Sequence, residues 1–431
     1  MCDSSRLVSV VFSHLALLCG LLALPTPGQS QGVNFPVLNW IPPTSLTGSP
    51  CDFFVSGCGS KLGTGIIQMW SGMDGTHPFA MVGRDPTVKG TGATQIDVRI
   101  VPLKFTFTTP PPSSTTLTFD TENNDACSPR KFPALNMVQQ SPLFAAPSSW
   151  SQPPSLKVLG KGQFASLFQR ANLWAFIQPN ASPNYQITLS QTLTNAMETK
   201  AIAIVDPATM PNLTTLPYTI NGVVQTDTHW CTPLAMIDVN ELDTLLQKQI
   251  IPALKGITPA TLPIFFLSNV VMSPDTSTPI CCIVGYHSAY SSATTGATAG
   301  KLQTYIVANY DTTSGSNFKG AFPDAPDLVA LSNMIAAWID NPTTLNTTPP
   351  WTGTINGVTG PQTTLEVADP PDLVGQLTKI MMTNKNVYHV QDLAFKSWFF
   401  CDTTPPNNFN FGYQNGVYSL FGTLKTPNPT C

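Results

Sequence analysis

Alternating apolar and polar residues mark the first strands of this chain. Between residues 95 and 119 the segment IDVRIVPLKFTF alternates, a proline run at 110–112 follows, and TLTF resumes the alternation. A period of two is typical of a strand with one buried face, and consecutive prolines mark a turn. The pattern therefore predicts an antiparallel pair of strands.

Two segments carry apolar residues at helical spacing instead. Residues 164–177 (FASLFQRANLWAFI) and 239–250 each place large apolar side chains three or four positions apart, which is the spacing of a helix with one face in the core. Asp238 or Asn240 is positioned to cap the second helix. Pro252 marks its end, because proline breaks the helical hydrogen-bond ladder.

Further along the chain, apolar runs of strand length precede a third helix. The pattern predicts this helix over about 327–340, with Asp324 or Asp327 as its N-cap and Pro342 as its stop. Strands followed by a helix favour an α+β fold in which one buried helix lies across a mixed sheet. The three strand-length runs are residues 264–272, 280–290 and 302–310.

The N-terminus has the pattern of an export signal. Arg6 precedes an apolar run over residues 7–24, and small residues up to Ser30 follow a proline-containing break. This arrangement predicts a signal peptide that is cleaved near Ser30. A retained membrane anchor is the alternative, but the run is short and His14 interrupts it. We expect a secreted, extracellular chain that begins near Gln31 and has no membrane contact after cleavage.

The remaining chain is long enough for one large domain. We expect a signal peptide over residues 1–30 and a single globular domain over 31–431, because no repeat or long linker interrupts it. Its N-terminal part, about 31–160, is predicted to be β-rich, and its remainder, about 161–431, to be α+β. Charged residues make up only 10% of the chain and the net charge is -4. We therefore predict no nucleic-acid partner, since no basic surface is available.

Cysteine usage agrees with export. Of the ten cysteines, Cys2 and Cys19 fall in the predicted signal peptide. The even number that remains is typical of disulfides, which form in oxidising compartments, and no CxxC pair points to zinc. Cys51 and Cys58 bracket a glycine-containing turn and are the one local pair that we predict, while the other connectivities stay open. The predicted disulfide cysteines are Cys51, Cys58, Cys127, Cys231, Cys281, Cys282, Cys401 and Cys431.

The histidines limit the candidate chemistry. The mature chain contains no HExxH, no glycine-rich phosphate loop and no GxSxG motif. A site that uses imidazole must draw on His77, His229, His287 or His389. His287 and His389 become candidates only through the segments that surround them.

Several segments spread over the mature chain carry a family resemblance. They are SPLF (141–144), FQRANLW (168–174), CCIVGYHSA (281–289), SNMIAAWIDNP (332–342), PPW (349–351), LEVADP (365–370), YHVQDLAFKSWFF (388–400) and the terminal Cys431. Together they resemble a family of secreted bacterial proteins with a SHExxEWxxDP helix and a LEVGDP motif. That helix is similar to the metal helix of a zincin, with a histidine ligand, a glutamate that activates water and acidic residues one turn on. The resemblance therefore implies a metalloprotease-like ancestor and a zincin-like half of the fold.

This chain departs from the family at the metal helix. Asn333 stands at the histidine position, Met334 and Ala337 at the two glutamates, and Asn341 where the family often has aspartate. Asparagine is a poor zinc ligand and methionine offers no base. The resemblance therefore implies that this helix does not activate water, and zinc is disfavoured as a cofactor.

The polar residues left in these motifs are the weak candidates for a site. His287, His389 and Glu366 are the candidate catalytic residues. Asp340, Glu366, Asp369 and His389 are the candidate metal ligands, and their oxygens suit calcium rather than zinc. The alternative is structural: Asp340 and Asp369 cap the turns before their prolines and Glu366 pairs locally.

These observations lead to one expected function and two alternatives. We expect a catalytically degenerate relative of the metalloprotease-like family that acts as a binding or structural protein. One alternative is an extracellular metal-dependent hydrolase with a rearranged site. The other is a module that binds an extracellular polymer, such as a carbohydrate, or a surface protein. Its aromatic platform would come from Trp351, Trp398, Phe399 and Phe400, although the run AFKSWFF is more typical of a core helix.

Overall fold

The structure is a computed structural model of the chain. It describes residues 40–42, 46–54, 57–59, 65–108, 116–123, 132–146, 159–177, 184–191, 201–202, 218–220, 223–225, 235–274, 283–291, 301–312, 327–355, 358–372, 377–401 and 420. The predicted signal peptide lies outside the described residues. The chain divides into two compact units, Met1–Phe35 with Pro217–Asp227, and Pro36–Leu216 with Thr228–Cys431.

Strands supply most of the regular structure. They are β1 (Met69–Asp74), β2 (His77–Val82), β3 (Thr94–Pro102), β4 (Lys104–Thr108), β5 (Thr116–Phe119), β6 (Ile187–Gln191), β7 (Ala201–Ile202), β8 (Tyr218–Ile220), β9 (Val223–Gln225), β10 (Ala235–Asp238), β11 (Thr261–Ser268), β12 (Val270–Ser273), β13 (Gly285–Ser291), β14 (Leu302–Tyr310), β15 (Thr347–Ile355), β16 (Val358–Thr364), β17 (Leu377–Met381) and β18 (Val387–Gln391). The first unit is described only by the antiparallel hairpin of β8 and β9. All other elements belong to the second unit.

The helices are short, apart from one. They are α1 (Ala134–Gln139), α2 (Phe164–Asn172), α3 (Trp174–Ile177), α4 (Val239–Leu245), α5 (Ile251–Ala253), α6 (Val329–Asp340), α7 (Asp369–Asp372) and α8 (Lys396–Phe399). A 3₁₀ turn covers Pro50–Phe53, and a π-helical turn, Leu246–Ile250, joins α4 to α5. Within the described part of the chain, no helix has both the length and the hydropathy needed to cross a membrane.

A five-stranded mixed sheet forms the centre of the second unit. Its order is β13-β14-β11-β3-β6, in which β13 runs antiparallel to β14 and every other neighbouring pair is parallel. Strand β3 comes from the N-terminal third of the chain, yet it pairs with β11 from the C-terminal half. The fold is therefore α+β, as the sequence predicts, and its predicted β-rich part contributes to the same sheet as the remainder.

Helices cover both faces of this sheet. On one face of β13, the hydroxyl of Tyr286 donates to Asp243 of α4 at 3.0 Å. On the other face, a side chain at Gly285 would place its Cβ 3.0 Å from Met334 Cγ of α6. Because side chains alternate along a strand, His287 shares the α6 face with Gly285. Helix α2 joins α6 on this side through a hydrogen bond from Asn172 to Asp340 of 2.7 Å.

The predicted boundaries of the second helix are largely confirmed. Asp238 is its N-cap, because its carboxylate accepts the N–H groups of Asn240 at 2.8 Å and Glu241 at 3.0 Å. The helix runs one residue past Pro252, to Ala253. The π-helical turn before Pro252 accommodates a residue that lacks an N–H, since wider turns relieve the clash of a proline ring with the preceding carbonyls.

The other predicted elements are confirmed with local differences. The third helix, α6, begins two residues later than predicted and ends at the predicted residue, and 302–310 is β14. The predicted run 264–272 is split into β11 and β12 by Asn269, whose φ of 56° breaks the extended backbone. Helix 164–177 breaks between α2 and α3, and β4 and β5 form the predicted antiparallel pair.

The predicted local disulfide is present. Cys51 and Cys58 are bonded, seven residues apart. Cys401 is also disulfide-bonded. The other five predicted disulfide cysteines lie outside the described residues.

The edge strand β6 is closed by a side chain that imitates a neighbouring strand. Gln163, at the start of α2, accepts the Leu189 N–H at 2.8 Å and donates to the Leu189 carbonyl at 3.1 Å. Its amide also donates to the carbonyl of Phe144 at 3.1 Å. Unpaired backbone groups at a sheet edge can pair with a strand of another chain. Gln163 prevents this at Leu189, because it pairs with both backbone groups of that residue.

We predict that Gln163→Ala lowers the free energy of unfolding by about 2–4 kcal/mol, because buried backbone groups at Leu189 and Phe144 lose their partners. Urea unfolding checks this value. The matched control is Gln95→Ala, which removes an exposed amide on β3 and should change the stability by less than about 0.5 kcal/mol. Equal effects for both variants would contradict the strand-mimic role.

Candidate functional site

Helix α6 is buried along its whole length. Every residue from Val329 to Asp340 is buried, including the polar Ser332 and Asn333. Ser332 is accommodated because its hydroxyl donates to the Val329 carbonyl at 2.9 Å and accepts the Gln391 N–H at 2.9 Å. Asn333 has no hydrogen-bond partner for either polar atom of its amide among the described residues. The helix is thus a core element that carries polar groups.

A histidine and a glutamate meet near the C-terminal end of α6. His287 Nε2 lies 3.5 Å from Glu366 Oε2, and the two side chains are 1% and 0% exposed. This distance permits an ion pair, but the geometry gives no hydrogen bond, and neither ring nitrogen of His287 has a hydrogen-bond partner in the described part of the chain. The structure therefore brings together two of the three predicted catalytic candidates, in a place that solvent does not reach.

Two asparagines hold Glu366 in position. Asn341 donates to Glu366 Oε1 at 3.2 Å and to the Leu365 carbonyl at 3.1 Å, while its own carbonyl oxygen accepts the Asn346 N–H at 2.9 Å. Asn346 pairs in turn with the backbone of Ala80, accepting its N–H at 2.8 Å and donating to its carbonyl at 2.7 Å. Asn346 begins an Asn-Thr-Thr glycosylation sequon, but its amide is buried and fully hydrogen-bonded, so it is not a glycan acceptor in the folded protein.

Asp340 is a second buried carboxyl group beside this pair. It ends α6, is fully buried, and receives a hydrogen bond from Asn172 Nδ2 at 2.7 Å. Burial raises the pKa of Asp340 to about 7, and the negative charge of Glu366 adds to the rise. Gln169, Lys396 and Asn172 act in the opposite direction. The charge of Glu366 therefore acts on Asp340. The side chain of Asp340 bonds to Asn172 of α2 and does not cap a local turn.

The third catalytic candidate, His389, lies at the other end of α6. Its Nδ1 is 2.8 Å from Asp327 Oδ2, and its backbone N–H donates to Asp327 Oδ1 at 2.8 Å. Asp327 immediately precedes Leu328, the N-cap residue of α6. A helix of 12 residues is about 18 Å long. His389 is thus separated from the group of His287, Glu366 and Asp340.

The last metal candidate, Asp369, follows Glu366 in a turn. Its backbone N–H donates to the Glu366 carbonyl at 3.2 Å, and the residue is buried at the start of α7. Within the described residues, no three or more histidine, cysteine, aspartate or glutamate side chains group closely enough to hold a metal ion. The candidate ligands Asp340, Glu366, Asp369 and His389 are accordingly not gathered into one coordination site.

Sequence reasoning missed a polar cluster on the opposite face of the sheet. The carboxylate of Asp243 accepts hydrogen bonds from the hydroxyls of Tyr286 and Tyr305, and Gln247 donates to Asp243 at 3.0 Å and to the Tyr305 hydroxyl at 2.9 Å. Burial raises the pKa of Tyr286 and of Tyr305 well above the ordinary tyrosine value, and Asp243 adds to the rise. The alternation of Tyr286, Ser288 and Tyr290 along β13 is the sequence signal that could have identified this face.

The aromatic residues proposed for a sugar platform are mostly core residues. Trp351, Trp398 and Phe399 are 0–3% exposed. The ring of Trp351 contacts those of Trp398 and Phe399 edge to face, at centroid distances of 6.1 and 5.3 Å. Phe400 is half-buried. The core-helix interpretation of AFKSWFF is therefore confirmed for α8.

Comparison of the chain with family models, with curated proteins and with solved structures finds no match.

We predict that His287→Ala lowers the free energy of unfolding by about 3–5 kcal/mol, because it leaves Glu366 as an uncompensated buried charge. The Glu366→Ala variant and the double variant complete a cycle measured by urea unfolding. We expect a coupling of about 1–3 kcal/mol between the two positions.

The control cycle pairs His287→Ala with His389→Ala, at the far end of α6. Its effects should add within about 0.5 kcal/mol, because the sites share no partner. Additive effects in the His287 and Glu366 cycle would show that the two side chains do not interact.

Proposed function

We propose that the chain is an exported, catalytically degenerate relative of a metalloprotease-like family and acts as a binding or structural protein. The observation that carries this proposal is which residues α6 buries at the three positions expected to bind metal and activate water. Asn333, Met334 and Ala337 occupy the positions at which the resemblance implies a metal ligand, a base and a second acidic residue, and all three are buried. At these three positions the helix supports packing and offers no group that activates water.

The chemistry around α6 supports the same proposal. Catalytic zinc sites use three protein ligands and keep one position open to water. Here one imidazole, His287, faces one carboxylate, Glu366, and both are sealed from solvent. A pair of this type matches the buried ion pairs that fix the position of neighbouring elements, whose contribution to stability is small or negative.

The hydrolase alternative requires five side chains to converge on one cavity. His389 pairs with Asp327, at the opposite end of α6, which is about 18 Å long. Calcium takes six to eight oxygen ligands, whereas the carboxylates of Asp340 and Glu366 are each held by an asparagine amide. These placements favour the binding or structural function over the metal-dependent one.

A carbohydrate-binding function is less well supported. Stacking on sugars needs aromatic faces that solvent reaches, and the predicted platform residues Trp351, Trp398 and Phe399 are buried. The proposed partner is therefore an extracellular protein or polymer that is not recognised through these rings.

Export is the second part of the proposal. It rests on the charge, apolar run and small-residue break at the N-terminus. The bonded Cys51–Cys58 pair and the bonded Cys401 support it, because disulfides persist in oxidising compartments.

We predict that the purified mature protein contains far less than one zinc or calcium ion per chain, because its candidate ligands are not gathered. Elemental mass spectrometry checks this, before and after dialysis against one equivalent of each metal. Near-stoichiometric metal would overturn the proposal. Loss of that metal in Glu366→Gln, but not in His389→Gln, would place it beside His287; the reverse would place it beside Asp327.

We predict that expression in a bacterial host yields an exported protein that begins near Gln31, because residues up to Ser30 are removed. Intact mass and N-terminal sequencing measure the start. Leu17→Arg should block export and cleavage, since a charge in the apolar run prevents its recognition, whereas Ser4→Arg should not. An exported chain that keeps Met1 would contradict the prediction.

A further inference from the structure

Asp340 stands where an ionised carboxylate is disfavoured on several grounds. It is the last residue of α6, and the C-terminal end of a helix carries a partial negative charge. The side chain is fully buried, so ionisation would place a charge in a low-dielectric interior. The hydrogen bond that it accepts from Asn172 comes from a neutral amide.

The groups that face Asp340 come from every element packed around it. Helix α2 contributes Asn172 and Gln169, the segment after β16 contributes Glu366, and the segment before β6 contributes Tyr185. Lys396 at the start of α8 is the one cation among them. Its ammonium group is already engaged by the carboxylate of Asp74 and by the rings of Phe79 and Phe400, at 4.6 and 4.9 Å from their centroids.

The second buried carboxyl group has its own partners. Glu366 is held by Asn341 and faces His287 from β13. The negative charge of Glu366 opposes a second negative charge on Asp340. Full burial and the neighbouring carboxyl group of Glu366 therefore both favour the protonated form of Asp340.

We propose that Asp340 is a proton-binding site that controls the closure of α6 against α2. With the proton bound, the Asn172–Asp340 contact holds the C-terminal end of α6 closed over His287 and Glu366. When the proton leaves, two carboxylates share one buried region, and the contact opens to solvent. The protein is thus a pH-responsive structure that is closed in mildly acidic surroundings and loosened in alkaline ones.

The direction of the pH dependence follows from the pKa values. The pKa of Asp340 is about 7 in the folded chain and 3.8 as its ordinary value. A folded-state pKa above the unfolded one gives stability that is greatest at low pH and is lost as the pH rises toward 7. Between pH 5.5 and 8.5 the loss of this one proton raises the unfolding equilibrium constant by up to about thirty-fold.

The test compares the wild-type chain with Asp340→Asn, whose neutral amide has the shape of the protonated acid. Urea unfolding and hydrogen exchange of residues 329–341 are measured at pH 5.5 and 8.5, with exchange rates corrected for their intrinsic pH dependence. We expect the wild type to lose stability and protection at pH 8.5 by up to about thirty-fold more than the variant. Asp97→Asn, which neutralises an exposed carboxylate on β3, should behave as the wild type does.

Identical pH dependence in the wild type and Asp340→Asn would overturn the proposal. Should Asp340→Asn fail to fold, the carboxyl groups of the wild-type chain can be followed by NMR after ¹³C labelling of aspartate. An aspartate that titrates near neutrality supports the proposal. If every aspartate titrates below about pH 5, close to the usual range, the proposal fails.

Discussion

The packing of α6 on the sheet is the contact on which the rest of the structure depends. It requires a glycine at position 285, because a side chain there would meet Met334 Cγ and the Val307 carbonyl oxygen, both at 3.0 Å. Fully buried side chains such as Met334 and Trp338 contribute about 1.5–3 kcal/mol each. Neighbouring elements are then positioned by polar contacts with α6 or its ends, as Gln391 of β18 is by the Ser332 hydroxyl.

Asparagine side chains connect the remaining parts to the end of this helix. Asn341 and Asn346 use both polar atoms of their side-chain amides, and they pair with backbone groups of Leu365 and Ala80. A buried polar network of this kind fixes one arrangement when its members are paired. Glu366 and Asp340 enter the core as members of this network, which explains how two carboxyl groups are tolerated beside one imidazole.

Strand β13 separates two kinds of polar chemistry. On its α4 face the carboxylate of Asp243 is saturated by two tyrosine hydroxyls and an amide. On its α6 face His287 and Glu366 face each other without a hydrogen bond. The first cluster is joined by hydrogen bonds, whereas both ring nitrogens of His287 and Oε2 of Glu366 in the second have no hydrogen-bond partner among the described residues. Asp340 lies beside the second cluster, where two buried carboxyl groups share one region and a proton on one of them is favoured. The first cluster has a single carboxylate, Asp243, which three donors stabilise.

Periodicity along the chain determined the elements, since spacing of two or of three to four residues depends on neighbours in sequence. It predicted α6 and β14, while capping chemistry predicted a cap at Asp238 or Asn240 and the cysteine spacing predicted the Cys51–Cys58 bridge. It did not predict that β3 enters the central sheet, that Asn269 splits a strand, or that His389 and His287 lie at opposite ends of one helix. Only the tertiary structure decided these points, because they depend on which distant segments pair and on how a core satisfies its polar groups. The sequence by itself named His287, Glu366 and Asp340, while the fold decided that they form one buried group.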